Sequence, residues 1–159
     1  MDEQLFDAEL AHKYFAPRLN VECWSLIDQA SRTEDENRRM LMTAFASCYH
    51  WLHAGNDVNQ QRGEWLIAKV YAVLEDGPNC LKHARHCMAW TGKIEAGLND
   101  FDRAYACEML ARGHALCGQI EQARDLKTEA QRLGDQIEDG EDRKIFLADL
   151  AWGNWNGVE

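Results

Sequence analysis

The chain has 159 residues, of which 46% are hydrophobic, so it can bury one sizeable core, and we expect a single domain over residues 1–159. Its formal net charge is −10, from 27 acidic and 17 basic residues, which argues against general binding to nucleic acid or to an anionic membrane surface. Few β-branched residues alternate with polar ones, so the chain is predicted to be all-α.

Two short helices are predicted before residue 31. The first covers residues 2–15, because its apolar residues recur at helical spacing, and it is predicted to end before Pro17, which pushes the preceding residue away from helical angles. The second covers residues 20–30, with Asn20 as its N-cap. Its buried stripe is predicted to consist of Val21, Trp24, Ile27 and Ala30.

A third helix is predicted from residue 34 to Gly55, because Thr33 followed by Glu36 matches a capping box and the glycine supplies a stop. Apolar residues cover most of its circumference between Met40 and Leu52, which is typical of a helix packed on more than one side. This helix is therefore predicted to be central to the N-terminal half. Alternatively, its apolar surface is shared between subunits of a homo-oligomer.

The middle of the chain predicts two further helices with polar connections. Residues 56–61, with the sequence NDVNQQ, are predicted to form a turn before a fourth helix over residues 62–74. Gly77 is predicted to turn the chain into a fifth helix, over residues 79–91, with Pro78 at a position that a helix start tolerates. Residues 92–100 are predicted to form a loop.

Residues 100–134 predict two helices that turn back on each other at Gly118, which suits the left-handed backbone that ends a helix. The apolar positions at helical spacing are Ala104, Cys107, Leu110, Ala111, His114 and Ala115 in the first helix and Ile120, Ala123, Leu126, Ala130 and Leu133 in the second. Small side chains at these positions let two backbones approach closely. A looser copy covers residues 63–91, with Ala84 matching Ala123 at a spacing of 39 residues.

This small-residue hairpin resembles the tetratricopeptide repeat, whose period is about 34 residues. The resemblance covers about half of the chain and implies antiparallel helical hairpins over residues 37–134, stacked as a short right-handed solenoid of about eight helices. Residues 1–36 then add N-terminal helices, and residues 141–155 form the C-terminal capping segment. Its helix is predicted over residues 142–152, and the tail over residues 153–159 is predicted to be loose, with Trp155 as a partial anchor. The resemblance also implies a protein-interaction role, with a concave groove lined by the first helix of each hairpin.

The densest group of polar and aromatic side chains surrounds Gly55. Amides and a guanidinium offer directional donors for a peptide backbone or a carboxylate, and tryptophans are typical of binding hot spots. The predicted ligand- or partner-binding residues are His50, Trp51, His53, Asn59, Gln60, Arg62 and Trp65. The alternative is that the tryptophans pack in the core and that the polar residues form a solvated turn.

The histidines and cysteines are weak metal candidates. His12, His50 and His53 offer imidazoles from two helices, as metal sites in helical bundles do, but no HExxH motif is present. In the segment CLKHARHC at residues 80–87, Cys80, His83 and Cys87 share one face of a straight helix. Ligands on one face of a single helix cannot surround an ion. Cys107 and His114 are too far apart on one helix to act as a nucleophile and its base, about 10 Å along the axis. No metal site is therefore predicted.

No Gly-rich phosphate loop, GxSxG elbow or dinucleotide fingerprint occurs, so we predict a protein- or peptide-binding module that is not an enzyme and has no cofactor. The alternative is a protein that binds a small ligand or a metal in a pocket around residues 50–65. Six cysteines without a CxxC pair, an acidic N-terminus and the lack of a long apolar run predict reduced thiols, no membrane insertion and a cytoplasmic location.

Overall fold

The structure is a computed structural model that describes residues 6–159. Over this range the chain forms seven α-helices and no β-strand. Their bounds are α1 Ala8–Ile27, α2 Glu34–Ala54, α3 Asp57–Val73, α4 Gly77–Lys93, α5 Asp100–Leu116, α6 Ile120–Asp135 and α7 Gly140–Ala151. None of these helices combines the length and the apolar character that crossing a bilayer requires.

Neighbouring helices pack as antiparallel hairpins, α1 with α2, α3 with α4 and α5 with α6, which confirms the predicted all-helical hairpin architecture. Successive hairpins are joined because α2 packs on α3, and α5 packs on both α3 and α4. The last helix, α7, packs against α5 and α6 at the C-terminal end. The first helices of the three hairpins, α1, α3 and α5, line the same side of this stack.

The α5–α6 hairpin packs through small side chains, as predicted. Gly118 turns the chain between the two helices in the left-handed conformation, with φ of 72°. Phe146 of α7 packs against the same hydrophobic cluster, so α7 covers this cluster at the C-terminal end of the stack. The fully buried alanines that the hairpin contributes to this cluster are Ala104, Ala111, Ala123 and Ala130.

The tail after α7 is packed, whereas the sequence predicted that it would be loose. Trp155 and Val158 are both buried in the cluster formed by α5, α6 and α7. The Trp155 indole N–H donates to the Leu150 carbonyl at 3.0 Å. The guanidinium of Arg112 and the ammonium of Lys127 lie 4.2 and 4.7 Å from the Trp155 ring centroid. Trp155 is therefore the anchor that the sequence predicted only in part.

The predicted break at Pro17 is wrong, because α1 continues through this residue and replaces the two short helices predicted there. The seven helices of residues 6–159 agree with the prediction of about eight. A proline inside a helix removes one backbone hydrogen bond and costs about 3 kcal/mol. However, Ala16, Cys23 and Leu26 are all fully buried on either side of the exposed proline. The Ser47 hydroxyl also donates to the Ala16 carbonyl at 2.7 Å. Packing of one long helix against α2 therefore outweighs the local cost.

The buried stripe predicted for residues 20–30 is also shifted. Val21 is 68% exposed and Ala30 lies beyond the end of α1, whereas Cys23 and Leu26 are fully buried. Because α1 is one continuous helix, its buried face runs from Ala16 to Cys23 and Leu26, which are seven and ten residues further along the chain. Residues 2–5 of the predicted first helix lie outside the described residues.

Capping boxes begin both α2 and α3. As predicted, Thr33 accepts the Glu36 amide N–H at 3.2 Å, and the Glu36 carboxylate accepts the Thr33 N–H at 2.8 Å. A second capping box, between Asn56 and Asn59, begins α3 at Asp57, earlier than predicted. The stretch NDVNQQ is therefore the cap and first turn of a helix and not a connecting turn.

Gly77 does not have the turn role that its alignment with Gly118 predicted. The left-handed residue between α3 and α4 is Glu75, with φ of 58°, whereas Gly77 is the first residue of α4 and is buried. A Cβ atom on Gly77 would lie 2.9 Å from the backbone carbonyl of Leu116. This glycine therefore permits close contact between the start of α4 and the end of α5.

Candidate functional site

A groove of about 990 Å³ lies on the side of the stack that α1, α3 and α5 form, and the tail after α7 closes one end. This volume is at the upper end of the range of about 300–1,000 Å³ that is usual for ligand pockets. Trp24 and Ile27 come from α1. The contribution of α3 recurs along one face and includes Arg62, Trp65, Lys69 and Ala72, which are three or four residues apart.

Aromatic side chains form the centre of the groove. The rings of Trp24 and Trp65 stack with centroids 5.9 Å apart and an interplanar angle of 25°. The ring of Tyr105 contacts Trp65 edge to face, at 5.5 Å and 73°. The Trp65 indole N–H donates to the Tyr105 carbonyl at 3.2 Å, so the polar atom of this indole is already satisfied. Both tryptophans are only partly buried and line the groove, so part of each ring can contact an apolar ligand group.

A bidentate ion pair fixes α3 to α5 beside these rings. Nε and Nη2 of Arg62 each donate to the Asp102 carboxylate at 2.9 Å, and Asp102 is only 5% exposed. The hydrogen bonds that Arg62 donates to Asp102 raise the pKa of the guanidinium. Asp102 also accepts the Asn99 N–H at 2.9 Å, and the Gln61 amide donates to the Asp102 carbonyl at 3.3 Å. Two N–H groups of the Arg62 guanidinium therefore bind a carboxylate of the protein itself.

A second network closes the groove at the C-terminal end. Arg112 forms an ion pair with the buried Glu108. It also donates to the carbonyls of Asp149 and Trp152, at 3.0 and 2.9 Å. The Tyr105 hydroxyl donates to the Asp149 carboxylate at 2.5 Å, and burial, together with this carboxylate, raises the pKa of Tyr105. These bonds hold α7 and its tail against α5.

Three charged side chains on the groove lining form no hydrogen bond or ion pair with another described residue: Asp28, Lys69 and Glu75. Lys69 is partly buried on the lining, whereas Asp28 and Glu75 are exposed. The groove therefore offers one cation and two anions for pairing with charges on a ligand.

The residues predicted to form one site are distributed over several surfaces. Arg62 and Trp65 line the groove, but the other five predicted residues do not. Asn59 belongs to the capping box of α3, and Gln60 is buried with its side-chain oxygen 4.0 Å from the Sγ of Cys48. The groove therefore includes two of the seven residues that were predicted to form a site around residues 50–65. The ring of Trp51 is partly buried outside the groove.

The three histidines that were weak metal candidates do converge, at the contact of α1 with α2. Nδ1 of His12 lies 2.8 Å from Nδ1 of His50. The rings of His12 and His53 stack with centroids 4.1 Å apart. Desolvation lowers the pKa of His12, and the nearby His53 and His50 lower it further. Arg62 is not part of this group, since it binds Asp102 in the groove.

Over residues 6–159, only one group of three potential ligand side chains has all its ligand atoms within 4.8 Å of one another. It consists of Glu64, His83 and His86 and not of the predicted histidines. In the sequence His83 stands near two cysteines, and no sequence pattern indicates that Glu64 of α3 contacts a residue of α4. The spacing of His83 and His86, three residues apart, is the one local feature that indicates this cluster.

Several groove residues had no site role in the sequence prediction: Trp24, Asp102, Tyr105, Glu108 and Arg112. Trp24 was predicted to be buried in the second helix. The α5 residues recur at helical spacing, but polar and aromatic residues on an otherwise apolar helix are also typical of satisfied core groups. The one sequence-based expectation that indicates these groove residues is the concave groove that the tetratricopeptide resemblance implies. That groove is lined by the first helix of each hairpin.

No protein-family model, curated protein or solved structure matches this chain. Its function is therefore inferred from the geometry of the groove and of the surrounding charges.

Proposed function

We propose that the protein is a non-enzymatic module that binds a peptide segment of a partner protein in the groove between α1, α3 and α5. The observation that carries this proposal is a cleft of about 990 Å³ with the stacked rings of Trp24 and Trp65 at its centre. The sequence resemblance to tetratricopeptide proteins supports the same surface, because it implies a concave groove lined by these helices. Rigid aromatic rings of this kind are typical of binding hot spots.

The charges inside the groove favour binding over catalysis. Asp102 and Glu108 are each held by an arginine, and the Tyr105 hydroxyl is held by a carboxylate. General acid–base catalysis requires a group that can exchange a proton with the substrate, and Asp102, Glu108 and Tyr105 are already hydrogen-bonded to protein partners. The same observation disfavours the alternative in which Arg62 binds the carboxylate of a small ligand, since both sides of its fork face Asp102.

The lining also indicates the chemistry of the partner segment. An aromatic or aliphatic side chain can pack against the faces of Trp24 and Trp65. Lys69, Asp28 and Glu75 on the groove lining lack intramolecular partners among the described residues. We therefore expect a segment with one large apolar anchor flanked by charges of both signs.

The test is a selection of peptides from a random displayed library against the wild-type protein. Binding of the selected peptide is then measured by fluorescence anisotropy on variants. Trp24→Ala should weaken it at least tenfold, because a central aromatic contact contributes about 2 kcal/mol or more. The matched control is Trp90→Ala, which removes a partly buried tryptophan of α4 that is outside the groove. Lys69→Glu is a second groove variant that alters no recorded hydrogen bond.

Three results would count against the proposal. The first is a library that yields no peptide with Kd below about 100 µM. The second is equal weakening by the groove variants and by Trp90→Ala, with all variants shown to be folded by circular dichroism. The third is hydrogen-exchange protection by the peptide on α2 and α4 instead of α1, α3 and α5.

We also propose that copies of the chain associate through α2. Its apolar stripe consists of Met42, Phe45, Tyr49 and Leu52, each at least 41% exposed. Monomeric proteins rarely leave a contiguous apolar patch of this kind uncovered. Sedimentation over a dilution series should show a mass above that of the monomer, and Leu52→Glu should abolish it. Val21→Glu, at an exposed apolar residue of α1, is the control, and a strict monomer at all concentrations would refute the idea.

We propose a cytoplasmic location on the basis of the cysteines. All six are free in the structure, and five have their thiol pKa raised by burial. Free thiols persist most readily in a reducing compartment. Fractionation of cells that express a tagged protein tests this, and recovery of the protein in a secreted fraction with disulfide bonds would contradict it.

A further inference from the structure

Outside the groove, where α3 packs on α4, one carboxylate and two imidazoles meet. Nδ1 of His83 lies 2.7 Å from Oε2 of Glu64, and Nδ1 of His86 lies 3.5 Å from the same oxygen. All three ligand atoms are within 4.8 Å of one another. His83 and His86 are three residues apart on α4, so both rings project from the same side of that helix. Glu64 approaches them from the neighbouring helix.

These distances are close to those that a shared metal ion imposes. Zinc binds imidazole nitrogen and carboxylate oxygen at about 2.1 Å, so two ligands of a tetrahedral ion lie about 3.4 Å apart. The observed distance between His86 and Glu64 is 3.5 Å. The distance between His83 and Glu64 is 2.7 Å and must lengthen by about 0.7 Å, which a small side-chain rotation supplies.

The surroundings hold the cluster in place and leave it accessible. The side chains of Glu64, His83 and His86 are 20%, 11% and 51% exposed. The ring of Tyr71 stacks on His83 at 5.6 Å and 15°, and the ring of Phe45 lies nearly perpendicular to His83 at 5.6 Å. These two aromatic contacts restrict the orientation of His83, as preorganised ligands require. The half-exposed His86 lies at the rim, where an ion from solvent can enter.

We propose that Glu64, His83 and His86 bind one divalent transition-metal ion, of which Zn²⁺ is the representative. Two imidazole nitrogens and a carboxylate oxygen prefer such ions to Mg²⁺ or Ca²⁺, which take mainly oxygen ligands. Coordination through Nδ1 requires the neutral His83 tautomer that carries its proton on Nε2, so binding breaks the hydrogen bond between Glu64 and His83 and leaves the proton on the other ring nitrogen. Three protein ligands leave the fourth position to water. The ion joins α3 to α4 and is independent of the peptide groove.

The test is calorimetric titration of ZnCl₂ into protein that has been treated with chelator and then dialysed. The wild type should bind one equivalent, and Zn²⁺ should raise its melting temperature, because the ion binds the folded state. His86→Gln should lower the affinity at least tenfold, and this side chain is sufficiently exposed for the fold to be retained. Glu64→Gln should have a similar effect. The control is His53→Gln, in the other histidine cluster, which should leave the affinity unchanged.

Co²⁺ provides a second readout, because its visible absorption is intense in four-coordinate sites and weak in six-coordinate ones. The wild type should show the intense spectrum, and His86→Gln should lose it. The proposal is overturned if Zn²⁺ does not bind or does not alter the melting temperature. It is equally overturned if His86→Gln and Glu64→Gln bind as the wild type does, or if His53→Gln alone removes the ion.

Discussion

Replacement of Gly113 by alanine tests the close stacking of successive hairpins. Gly113 lies within α5 and faces α4, and a Cβ atom at this position would lie 2.8 Å from Cα and 3.1 Å from N of Leu81. The optimum separation of carbon atoms is about 3.5–4.0 Å. The obstructing atoms belong to the backbone, so no side-chain rotation relieves the overlap. The two helices must therefore move apart by several tenths of an ångström.

Two opposite effects determine the change in the free energy of unfolding. Alanine is a better helix former than glycine by about 1 kcal/mol. Overpacking of a well-packed contact costs about 1–3 kcal/mol, and the upper part of this range applies where backbone must move. The expected net loss for Gly113→Ala is about 1–2 kcal/mol. At roughly 2–4 °C per kcal/mol for a chain of this size, the melting temperature should fall by roughly 2–8 °C.

The matched control is Gly92→Ala, in the last turn of α4. A Cβ atom on Gly92 would meet no neighbouring atom within 4 Å, so only the gain in helix propensity remains. We expect a gain of about 0.5–1 kcal/mol in the free energy of unfolding. Urea denaturation followed by far-ultraviolet circular dichroism measures both variants under the same conditions.

Changes of opposite sign are the expected outcome for the two glycine variants. If Gly113→Ala stabilises the protein as much as Gly92→Ala does, α4 and α5 do not approach each other closely. The stacking of hairpins through small residues would then be refuted.

Three further predictions concern an ion pair, buried thiols and the tail. Arg62→Ala should lower the free energy of unfolding by about 2 kcal/mol, because it leaves the buried carboxylate of Asp102 without its partner. The loss is limited because the arginine side chain is half-exposed and the pair is therefore partly solvated. A double-mutant cycle with Asp102→Ala that shows no coupling would contradict this. Burial raises the pKa of Cys80 and Cys87 from 9.0 to about 12, so both thiols should resist alkylation at mildly alkaline pH until the protein unfolds, as mass spectrometry can show. Because their folded-state pKa exceeds the unfolded value, the folded state keeps the protons longer, and the free energy of unfolding should fall as the pH rises from 9.0 through 12. Trp155→Ala should cost about 3 kcal/mol and make the tail sensitive to limited proteolysis, and an unchanged cleavage pattern would refute its role as an anchor.

Features that depend on a few adjacent residues could be predicted from the sequence. The start of α2 follows from Thr33 and Glu36, because both partners of this capping box lie within one helical turn. The turn at Gly118 follows from the freedom of glycine to adopt positive φ. The buried alanines of α5 and α6 follow from helical periodicity, since each helix has one side against its neighbour.

Other local predictions failed because distant packing overrides them. Pro17 does not break α1, since the helix buries residues on both sides of the proline. Gly77 is needed for its lack of a side chain opposite Leu116 and not for its backbone freedom, and only the arrangement of α4 against α5 shows this. Val21 and Trp24 both fit a helical stripe, but the neighbours of α1 decide that the first is exposed and the second lines the groove.

The candidate sites show the same division more clearly. Arg62 meets Asp102 40 residues further along the chain, and His83 meets Glu64 across a separation of 19 residues. Residues with these spacings have no periodic relation in the sequence. Their meeting depends on which turns of two helices lie opposite each other.

By itself, the sequence of this protein determined the helical class, the hairpin pairing around Gly118 and most helix limits. These features follow from hydrogen bonds and periodicities that span a few residues. The tertiary structure alone decided which helix faces meet, and so placed Trp24 against Trp65 in the groove and Glu64 beside the histidines of α4. The physical reason is that side-chain packing between two helices selects how they are rotated and shifted relative to each other. Local backbone preferences do not determine that arrangement.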